Sequence, residues 1–402
     1  MKLQAAKEVN ALQLPERYKT VYQQPHTDHV FCPYRVCPLG AHVDHQYGLV
    51  TGFAINRGVE LLFTPTNDGS IVVHSENYAD AVSFSVFDEV LERSFVWGDF
   101  VKGAVMALKR KYQLKRGFLG LIQGSLPVGG LSSSAAVILS YLQVLCKTND
   151  IHLTQGDLIN HAIWVERNYI GVNIGKLDQS CEVYCKKDYL MYLDTKDDSV
   201  QLVPRNPQML DFEICIIFSG VERKLAGSAY NMRVDECKAA SYALKAYAGM
   251  EYGKFETAYL RDVPRGIFEE HKEELPRTWY KRALHFYDEN ARVKQGVLSW
   301  QQGDIETFGR LVFESGSSSI NLYETSSEEL KALYDILAGC PGVYGGRFSG
   351  AGFNGCTMAI VRPNAKEEIM HHVTKHYTKH FPNLKDSFSI HFCKTADGIS
   401  IC

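Results

Sequence analysis

The sequence lacks the marks of a secreted or membrane-spanning protein. It has no run of 18 apolar residues, and its N-terminal stretch MKLQAAKEVNALQLPERYK has no uninterrupted apolar core of the kind that signal peptides contain. Its 11 cysteines are an odd number, scattered from Cys32 to Cys402 without a C-x-x-C pair, which argues against a disulfide framework or a zinc site. We therefore expect a cytosolic protein that keeps its thiols reduced and binds no membrane.

Excess charge of either sign is also missing. The chain has 43 Lys and Arg residues against 46 Asp and Glu residues, for a net charge of -3, so it offers no basic field for nucleic acid. With 402 residues, 45% of them hydrophobic and 22% charged, the composition is that of a globular protein long enough for two domains. Internal repeats and low-complexity tracts are absent as well.

Hydrophobic periodicity predicts a mixture of strands and helices. The polar stretch from Asp194 to Asn206, followed by Pro207, is the best candidate for a domain boundary. We therefore predict two α+β domains, over residues 1–205 and 206–402. The predicted strands are 30–37, 59–65, 70–75, 81–87, 117–123, 212–219, 357–361 and 388–393, and the predicted helices are 100–112, 137–146, 153–169, 226–248, 277–302, 305–315, 327–338 and 366–380.

The most informative segment is PVGGLSSSAA, from Pro127 to Ala136, between a predicted strand and a predicted helix. Glycines and serines at such a turn leave backbone N–H groups unpaired and let an anion approach, and the helix dipole favours negative charge there. The segment lacks the lysine of a P-loop, so a metal would have to neutralise part of the phosphate charge. The alternative is a serine-rich helix N-cap with no ligand.

A second polar cluster, from Tyr34 to Gly48, reads YRVCPLGAHVDHQYG and follows a predicted strand. His42, Asp44 and His45 could be metal ligands, but the pattern H-x-D-H has no separated third ligand and is weak. Hydrogen bonding to a polyhydroxylated ligand fits better, because aspartate accepts and histidine can donate or accept.

Two further segments contain candidate functional groups. In NIGKLDQ, from Asn173 to Gln179, Asp178 is either a base or the N-cap of a new helix. The segment GGRFSGAGFNG, from Gly345 to Gly355, contains G-x-G-x-x-G, the spacing of a dinucleotide site. It runs into the strand-like CTMAIV and opens no helix, so we interpret it as a loop that closes against the active site.

In order and separation, these segments resemble the three signature motifs of the GHMP small-molecule kinases, and within them the galactokinase branch. RVCPLGAHVDH is similar to that branch's R-V-N-L-I-G-E-H-T-D-Y, GLSSSA matches its second motif, and GRFSGAGFNGC is similar to G-R-x-T/S-G-A-G-F-G-G-C. A fourth segment, SAYNMRVDEC from Ser228 to Cys237, resembles S-x-Y-N-x-R-x-x-E-C. The resemblance spans nearly the whole chain.

The resemblance implies a fold, a reaction and a set of site residues. The fold is the two-domain α+β GHMP kinase fold, with an N-terminal domain like ribosomal protein S5 and a C-terminal ferredoxin-like α/β sandwich. The reaction is ATP-dependent phosphorylation of the anomeric hydroxyl of a sugar, with Mg²⁺ as cofactor, by a monomer or weak homo-oligomer. The catalytic residues would be Asp178 and Arg35, and Ser134 and Glu166 would hold the metal. The ATP phosphates would contact Gly129, Gly130, Leu131, Ser132, Ser133, Ser134 and Ala135, and the sugar would contact Arg35, Ala41, His42, Asp44, Gly175, Asp178 and Tyr230.

One departure from the galactokinase pattern bears on the substrate. Galactokinases carry a glutamate, which binds the 6-hydroxyl of the sugar, where this chain has Ala41. Two like charges about 4 Å apart cost roughly 4 kcal/mol at an effective dielectric constant of 20, so that glutamate would repel a carboxylate at C6. GAHVDHQ preceded by CPL also resembles the galacturonokinase branch, which implies D-galacturonic acid as the substrate.

Other interpretations remain open at this point. The chain could be a galactokinase with an altered contact to the 6-hydroxyl, or a sugar and ATP sensor without turnover. A nicotinamide oxidoreductase is suggested only by the G-x-G-x-x-G spacing. A C6 carboxylate also needs a cationic or N–H partner, for which Lys176 and His45 are the candidates in the sequence.

Overall fold

The computed structural model describes residues 14–221 and 227–402. Within these residues, no helix combines the length and the apolar character needed to cross a membrane. The helices are α1 (Leu14–Tyr22), α2 (Asp99–Lys109), α3 (Ser133–Thr148), α4 (Gln155–Trp164), α5 (Leu177–Tyr184), α6 (Gly227–Tyr247), α7 (Arg265–His271), α8 (Arg277–Gln302), α9 (Ile305–Ser318), α10 (Glu328–Ala338) and α11 (Lys366–His380).

The strands form two sheets in the described residues. They are β1 (Asp28–Val36), β2 (Leu49–Thr66), β3 (Ser70–Ser75), β4 (Val82–Ser85), β5 (Gly117–Gly124), β6 (Tyr189–Asp194), β7 (Ser199–Pro204), β8 (Glu213–Phe218), β9 (Val343–Phe348), β10 (Cys356–Val361), β11 (Ser389–Cys393), β12 (Thr395–Ala396) and β13 (Ser400–Ile401). Each predicted strand and helix has a counterpart in the described residues, with ends that move by a few residues in most cases and by ten at the start of β2. Residue 226, where the predicted helix 226–248 begins, lies outside the described residues.

The larger sheet is built around β2, whose 18 residues are twice the length of β1. Its order is β13-β1-β2-β5-β3-β4, while β6 and β12 pair with the first half of β2 and β7 pairs with β6. The prediction found only the second half of β2, because the run Leu49–Ile55 is buried almost throughout and shows no alternation of polar and apolar residues. Helix α3 packs on this sheet, and the ring of Tyr141 lies 6.3 Å from that of Phe118 in β5, measured between centroids.

The smaller sheet has the order β11-β8-β10-β9, and all its pairings are antiparallel. Strands β8 and β10 are buried along their whole length, since helices cover one face and the larger core covers the other. Helices α8 and α11 begin and end where the apolar periodicity predicts. Two sheets with segregated helices confirm the α+β class.

The polar stretch from Asp194 to Asn206 contains β7, which pairs with β6 in a hairpin on the larger sheet. At the other end of the sequence, β12 pairs with β2 and β13 pairs with β1. Strands from the last eight residues therefore complete the sheet that begins at Asp28. The boundary at residue 205 stays a prediction.

Candidate active site

A cavity of about 310 Å³ lies where β1, α3, α5 and the loop after β9 approach one another. Each of the four motif segments identified in the sequence contributes residues to its wall, so segments that are far apart in the chain meet there. Its lining includes Arg35, Ala41, His42, Asp44, Phe100, Gly130, Ser132, Ser133, Ser134, Glu166, Gly175, Asp178, Tyr230, Arg347 and Gly350.

The serine-rich turn enters α3 with a left-handed backbone. Gly129 and Gly130 have φ of +139° and +83°, and a Cβ on Gly130 would lie 2.8 Å from the Ser349 carbonyl oxygen, so only glycine fits. Ser132 also has a positive φ of 63° and makes no side-chain capping bond to α3. Its hydroxyl is buried and has no hydrogen-bond partner among the described residues. A simple serine N-cap is therefore the wrong interpretation of Ser132, and the turn leaves a polar group for a ligand.

Arg35 and Asp178 form an ion pair at the centre of the cavity. The Nε and Nη2 atoms of Arg35 both lie 2.7 Å from Oδ1 of Asp178, and Nη1 donates to the Gly130 carbonyl at 3.0 Å. Asp178 lies inside α5, whose N-cap is Lys176, so the N-cap interpretation of this aspartate is wrong. Burial is the largest single influence and opposes the charge of Arg35, but Asp178, Cys181 and Glu182 together raise the arginine pKa. The guanidinium therefore stays charged beside the turn.

Ser134 and Glu166 meet across the cavity from two helices. The Ser134 hydroxyl donates to Oε1 of Glu166 at 2.8 Å, and Gln179 donates to Oε2. Glu166 lies in the π-helical segment Val165–Ile170 that continues α4, a kind of distortion that is frequent at functional sites. Burial, followed by the negative charge of Asp178, raises the pKa of Glu166 to about 7. A cation at this carboxylate would relieve both effects.

The loop after β1 is a strained turn. Gly40 has φ of +95°, and His42 has φ of 64° although it carries a side chain. Burial lowers the pKa of His42 well below its usual value, so the ring is neutral. Its Nε2 atom lies 3.1 Å from the Gly350 carbonyl oxygen and Nδ1 lies 3.4 Å from the Thr325 hydroxyl. An Nε2–H donor and an Nδ1 acceptor satisfy both partners.

Asp44 joins this loop to α5. Its Oδ2 accepts from the Leu177 N–H at 3.2 Å, and a Cβ on residue 175 would lie 2.0 Å from the same oxygen, which requires Gly175. Burial, then repulsion from Asp178, raises the pKa of Asp44 to about 6. The ring of Tyr230 lies against His42, with centroids 6.4 Å apart. The structure thus brings the predicted catalytic, sugar-binding and metal-binding residues to one cavity, together with Gly130, Ser132, Ser133 and Ser134 of the predicted ATP turn. The other residues predicted for that turn, Gly129, Leu131 and Ala135, do not line the cavity, and the side chains of Leu131 and Ala135 are buried in the interior.

The two candidate partners of a C6 carboxylate are engaged elsewhere. Lys176 places Nζ 2.5 Å from Oδ1 of Asp198. His45 is buried, bonds to the Tyr323 hydroxyl through Nε2 at 2.8 Å, and has its pKa lowered by burial to about 3. Neither side chain lines the cavity.

Sequence reasoning missed the contribution of α8. His285 Nε2 donates to the Ala41 carbonyl at 3.1 Å, and Oε1 of Glu289 accepts from the Gly40 N–H at 2.8 Å. Glu289 also approaches Arg347 of β9, which lies inside the G-R-x-S motif and had no role assigned. Spacing within α8, one helical turn between His285 and Glu289, gives no sign that the two side chains reach a loop about 245 residues away.

The chain is similar in sequence to known proteins of one family. The GHMP kinase N-terminal domain matches residues 99–186 and the GHMP kinase C-terminal domain matches residues 297–379. The galacturonokinase of Arabidopsis thaliana is 37% identical over 92% of this chain and 93% of its own. The galactokinase of Roseiflexus sp. is 32% identical over 96% of each chain.

The fold is also similar to that of a solved structure. The structure of Lactococcus lactis galactokinase complexed with galactose superposes with a TM-score of 0.88 at 26% identity, covering 97% of this chain and 99% of the other. The G-x-G-x-x-G segment joins β9 to β10 without opening a helix and lies within the residues that match the GHMP kinase C-terminal domain. The fold, the two domain matches and the full-length relatives place this chain in the GHMP kinase family of phosphotransferases.

Proposed function

We propose that this protein transfers the γ-phosphate of ATP to the C1 hydroxyl of D-galacturonic acid, giving galacturonate 1-phosphate and ADP. The observation that carries the proposal is Ala41, whose methyl group lines the cavity at 7% exposure. Its small apolar side chain leaves room for a C6 carboxylate and presents no charge to repel it. The match to the Arabidopsis galacturonokinase supports the same substrate.

Asp178 is proposed as the group that takes or orients the proton of the C1 hydroxyl. Its carboxylate lies in the cavity with 28% of its side chain exposed, so a substrate can reach it. Arg35, only 4% exposed, holds this carboxylate in place and keeps a positive charge close to the phosphate turn. That charge stabilises negative charge developing at the transferred phosphoryl group.

The turn from Gly129 to Ala135 is proposed to hold the ATP phosphates. Its positive-φ glycines let the phosphates approach the main chain, and α3 begins immediately after it with its positive dipole end. The unpartnered hydroxyl of Ser132 is a donor for a phosphate oxygen.

Ser134 and Glu166 are proposed to hold Mg²⁺. The donor set fits this ion, since magnesium prefers one or two carboxylates with other oxygen ligands, and burial followed by the charge of Asp178 disfavours the ionised form of Glu166 in the absence of a cation. When bound, Mg²⁺ neutralises charge on the phosphate oxygens, a role that a loop lysine has in P-loop enzymes. Gln179 orients the second oxygen of Glu166.

His42, Asp44, Gly175 and Tyr230 are proposed to bind the sugar. The neutral imidazole, the carboxylate and the phenol supply donors and acceptors to hydroxyl groups, and Gly175 leaves space beside Asp44. These groups orient the anomeric hydroxyl toward Asp178, so that binding energy is used for alignment.

A cytosolic location is also proposed. All 11 cysteines are free and ten of them are buried, a pattern that suits a reducing compartment. The monomeric or weakly associated state stays a prediction.

The experiment is a substrate panel with purified protein, ATP and Mg²⁺. ADP release is measured with galacturonate, galactose, glucuronate and N-acetylgalactosamine, and we expect the highest kcat/KM with galacturonate. A higher kcat/KM for galactose would overturn the proposal and favour the galactokinase alternative, which the Lactococcus structure supports. Sugar binding without ADP release would instead identify a sensor.

A further inference from the structure

A buried ion cluster lies directly behind Ala41. At its centre is Glu289, a completely buried carboxylate whose Oε1 accepts from the Gly40 N–H at 2.8 Å. Nε of Arg292 lies 2.7 Å from Oε2, and Nη1 of Arg347 lies 3.7 Å from Oε1. The cluster is thus attached to the backbone of the residue next to Ala41, and Arg347 itself lines the cavity.

This cluster contains two guanidinium groups and one carboxylate. Although burial opposes its ionisation, Glu289 is held ionised by Arg292 and its other neighbours, which lower its pKa to about 2. The titratable neighbours add no charge, because burial lowers the pKa of His285 to about 4 and raises that of Cys37 to about 12. The cluster therefore carries a net charge of about +1 at neutral pH.

This positive charge has no second carboxylate within the described residues, because Glu289 is the acidic side chain that pairs with both Arg292 and Arg347 there. Burial, with repulsion from Arg292 and Arg35, lowers the pKa of Arg347 in spite of Glu289. The Nη2 atom of Arg292 is buried and has no hydrogen-bond partner there. By contrast, Arg35 on the other side of the cavity is matched by Asp178. An uncompensated buried charge is costly, and an anion placed nearby reduces that cost.

We propose that Arg347 and Arg292 provide the countercharge for the C6 carboxylate of the bound sugar acid. This inference rests on the proposed function and names the groups that select its substrate. The N–H groups of Arg347 already donate to Ser315, Ser319 and the Phe348 carbonyl. The positive charge would therefore attract the C6 carboxylate electrostatically, without a direct hydrogen bond. Between poorly solvated groups such a field extends over several ångströms. A neutral CH₂OH at C6 gains far less from it.

The test separates charge from packing at both arginines. Arg347→Gln and Arg292→Gln remove the charge, whereas Arg347→Lys and Arg292→Lys keep it and lose the guanidinium hydrogen bonds. For each variant, kcat/KM is measured with galacturonate and with galactose at saturating ATP and Mg²⁺. We expect the glutamine variants to lower the ratio of galacturonate to galactose kcat/KM about tenfold or more, and the lysine variants to keep it within about threefold.

Equal ratios in the glutamine and lysine variants would overturn the inference, because a purely structural role would not distinguish them. The Arg292 pair decides the question if Arg347→Gln does not fold, since the Arg292 side chain is 13% exposed and lies at the edge of the cluster. The outcome is separate from that of the proposed function. A wild-type preference for galactose contradicts the function, whereas a preference for galacturonate that survives both glutamine variants contradicts only the countercharge.

Discussion

The cavity has two walls that differ in the origin of their charge. The first wall comes from residues 35–178 and combines Arg35 with the acidic groups Glu166 and Asp178. The second wall comes from α8 and the segment around β9, and combines Glu289 with Arg292 and Arg347. In the first wall two carboxylates, Glu166 and Asp178, share one guanidinium, and burial followed by the charge of Asp178 raises the pKa of Glu166. In the second wall two guanidinium groups share one carboxylate, Glu289.

This difference suits a reaction between two unlike ligands. A metal with a phosphate chain supplies the cation that the first wall lacks, and a sugar acid supplies the anion that the second wall lacks. Because the two walls would contact different ligands, variants in each wall should change different properties of the reaction. Loss of a group in the first wall should affect phosphoryl transfer with any sugar, whereas a change in the second wall should affect the choice of sugar.

The largest effect is expected from Asp178→Asn in the first wall. Removing a general base typically costs between about a hundredfold and ten thousandfold, so we expect kcat to fall about a thousandfold with galacturonate and with galactose alike. Steady-state ADP release measures it. Asp211→Asn, at a carboxylate 82% exposed in an ion pair with Arg205, is the matched control and should leave kcat unchanged. A fall in kcat with only one of the two sugars would contradict the assignment of phosphoryl transfer to the first wall and sugar choice to the second.

Ala41→Glu tests the charge of the second wall from a neighbouring position, since Ala41 follows Gly40, whose N–H donates to Glu289. A glutamate about 4 Å from the C6 carboxylate costs roughly 4 kcal/mol, or about a thousandfold, at an effective dielectric constant of 20. We expect kcat/KM to fall by up to that factor for galacturonate and by less than about tenfold for galactose. Ala41→Gln has the same size without the charge and should spare most galacturonate activity. Equal losses of kcat/KM with both sugars would show that the side chain at position 41 does not distinguish the groups at C6.

Glu166→Gln should lower kcat about a hundredfold, because a metal contributes several kcal/mol to the transition state. The pH dependence sharpens this prediction. A carboxyl whose folded pKa is raised from 4.5 to about 7 stabilises the fold below pH 4.5, and that contribution is lost as pH rises toward 7. Mg²⁺ selects the ionised form, so the Mg²⁺-induced rise in Tm should increase between pH 5.5 and 7.5.

The glutamine variant provides the control for that titration. It has no carboxylate at this position, so its Mg²⁺-induced change in Tm should be small and nearly independent of pH over the same range. A pH-dependent shift of wild-type size in Glu166→Gln would mean that another carboxylate holds the metal.

Tyr230→Phe should have the smallest effect. The ring keeps its packing against His42, at 6.4 Å between centroids, and only the hydroxyl is lost. One hydrogen bond to a neutral sugar group contributes roughly 0.5–1.5 kcal/mol, so we expect KM for the sugar to rise about three- to tenfold with kcat and KM for ATP nearly unchanged. An unaltered KM for the sugar would assign Tyr230 to packing alone.

How much could be predicted from the sequence differs between the walls. Most groups of the first wall lie in short motifs at element ends, where turn chemistry and helix starts are local properties. The motif resemblance therefore predicted that Arg35, Ser134, Glu166 and Asp178 belong to one site. In the structure Arg35 is hydrogen-bonded to Asp178, and Ser134 to Glu166. Their functional roles stay predictions.

The second wall could not be found in this way. His285 and Glu289 lie in the middle of a 26-residue helix with ordinary periodicity, and only the packing of α8 on the loop after β1 brings them to Gly40 and Ala41. Lys176, which the sequence offered as a carboxylate partner, is adjacent to the site in the chain but pairs with Asp198. Proximity in sequence does not fix the direction of a long side chain.

The sequence alone determined the α+β class, the approximate positions of eight strands and eight helices, the membership suggested by four ordered motifs and the absence of a glutamate at position 41. These are local or compositional properties, so they can be read without coordinates. Tertiary structure decided which charges are matched and which are not. Burial and long-range contacts set the ionisation of Glu166, Glu289 and Arg347, because desolvation depends on what the whole chain packs around each group.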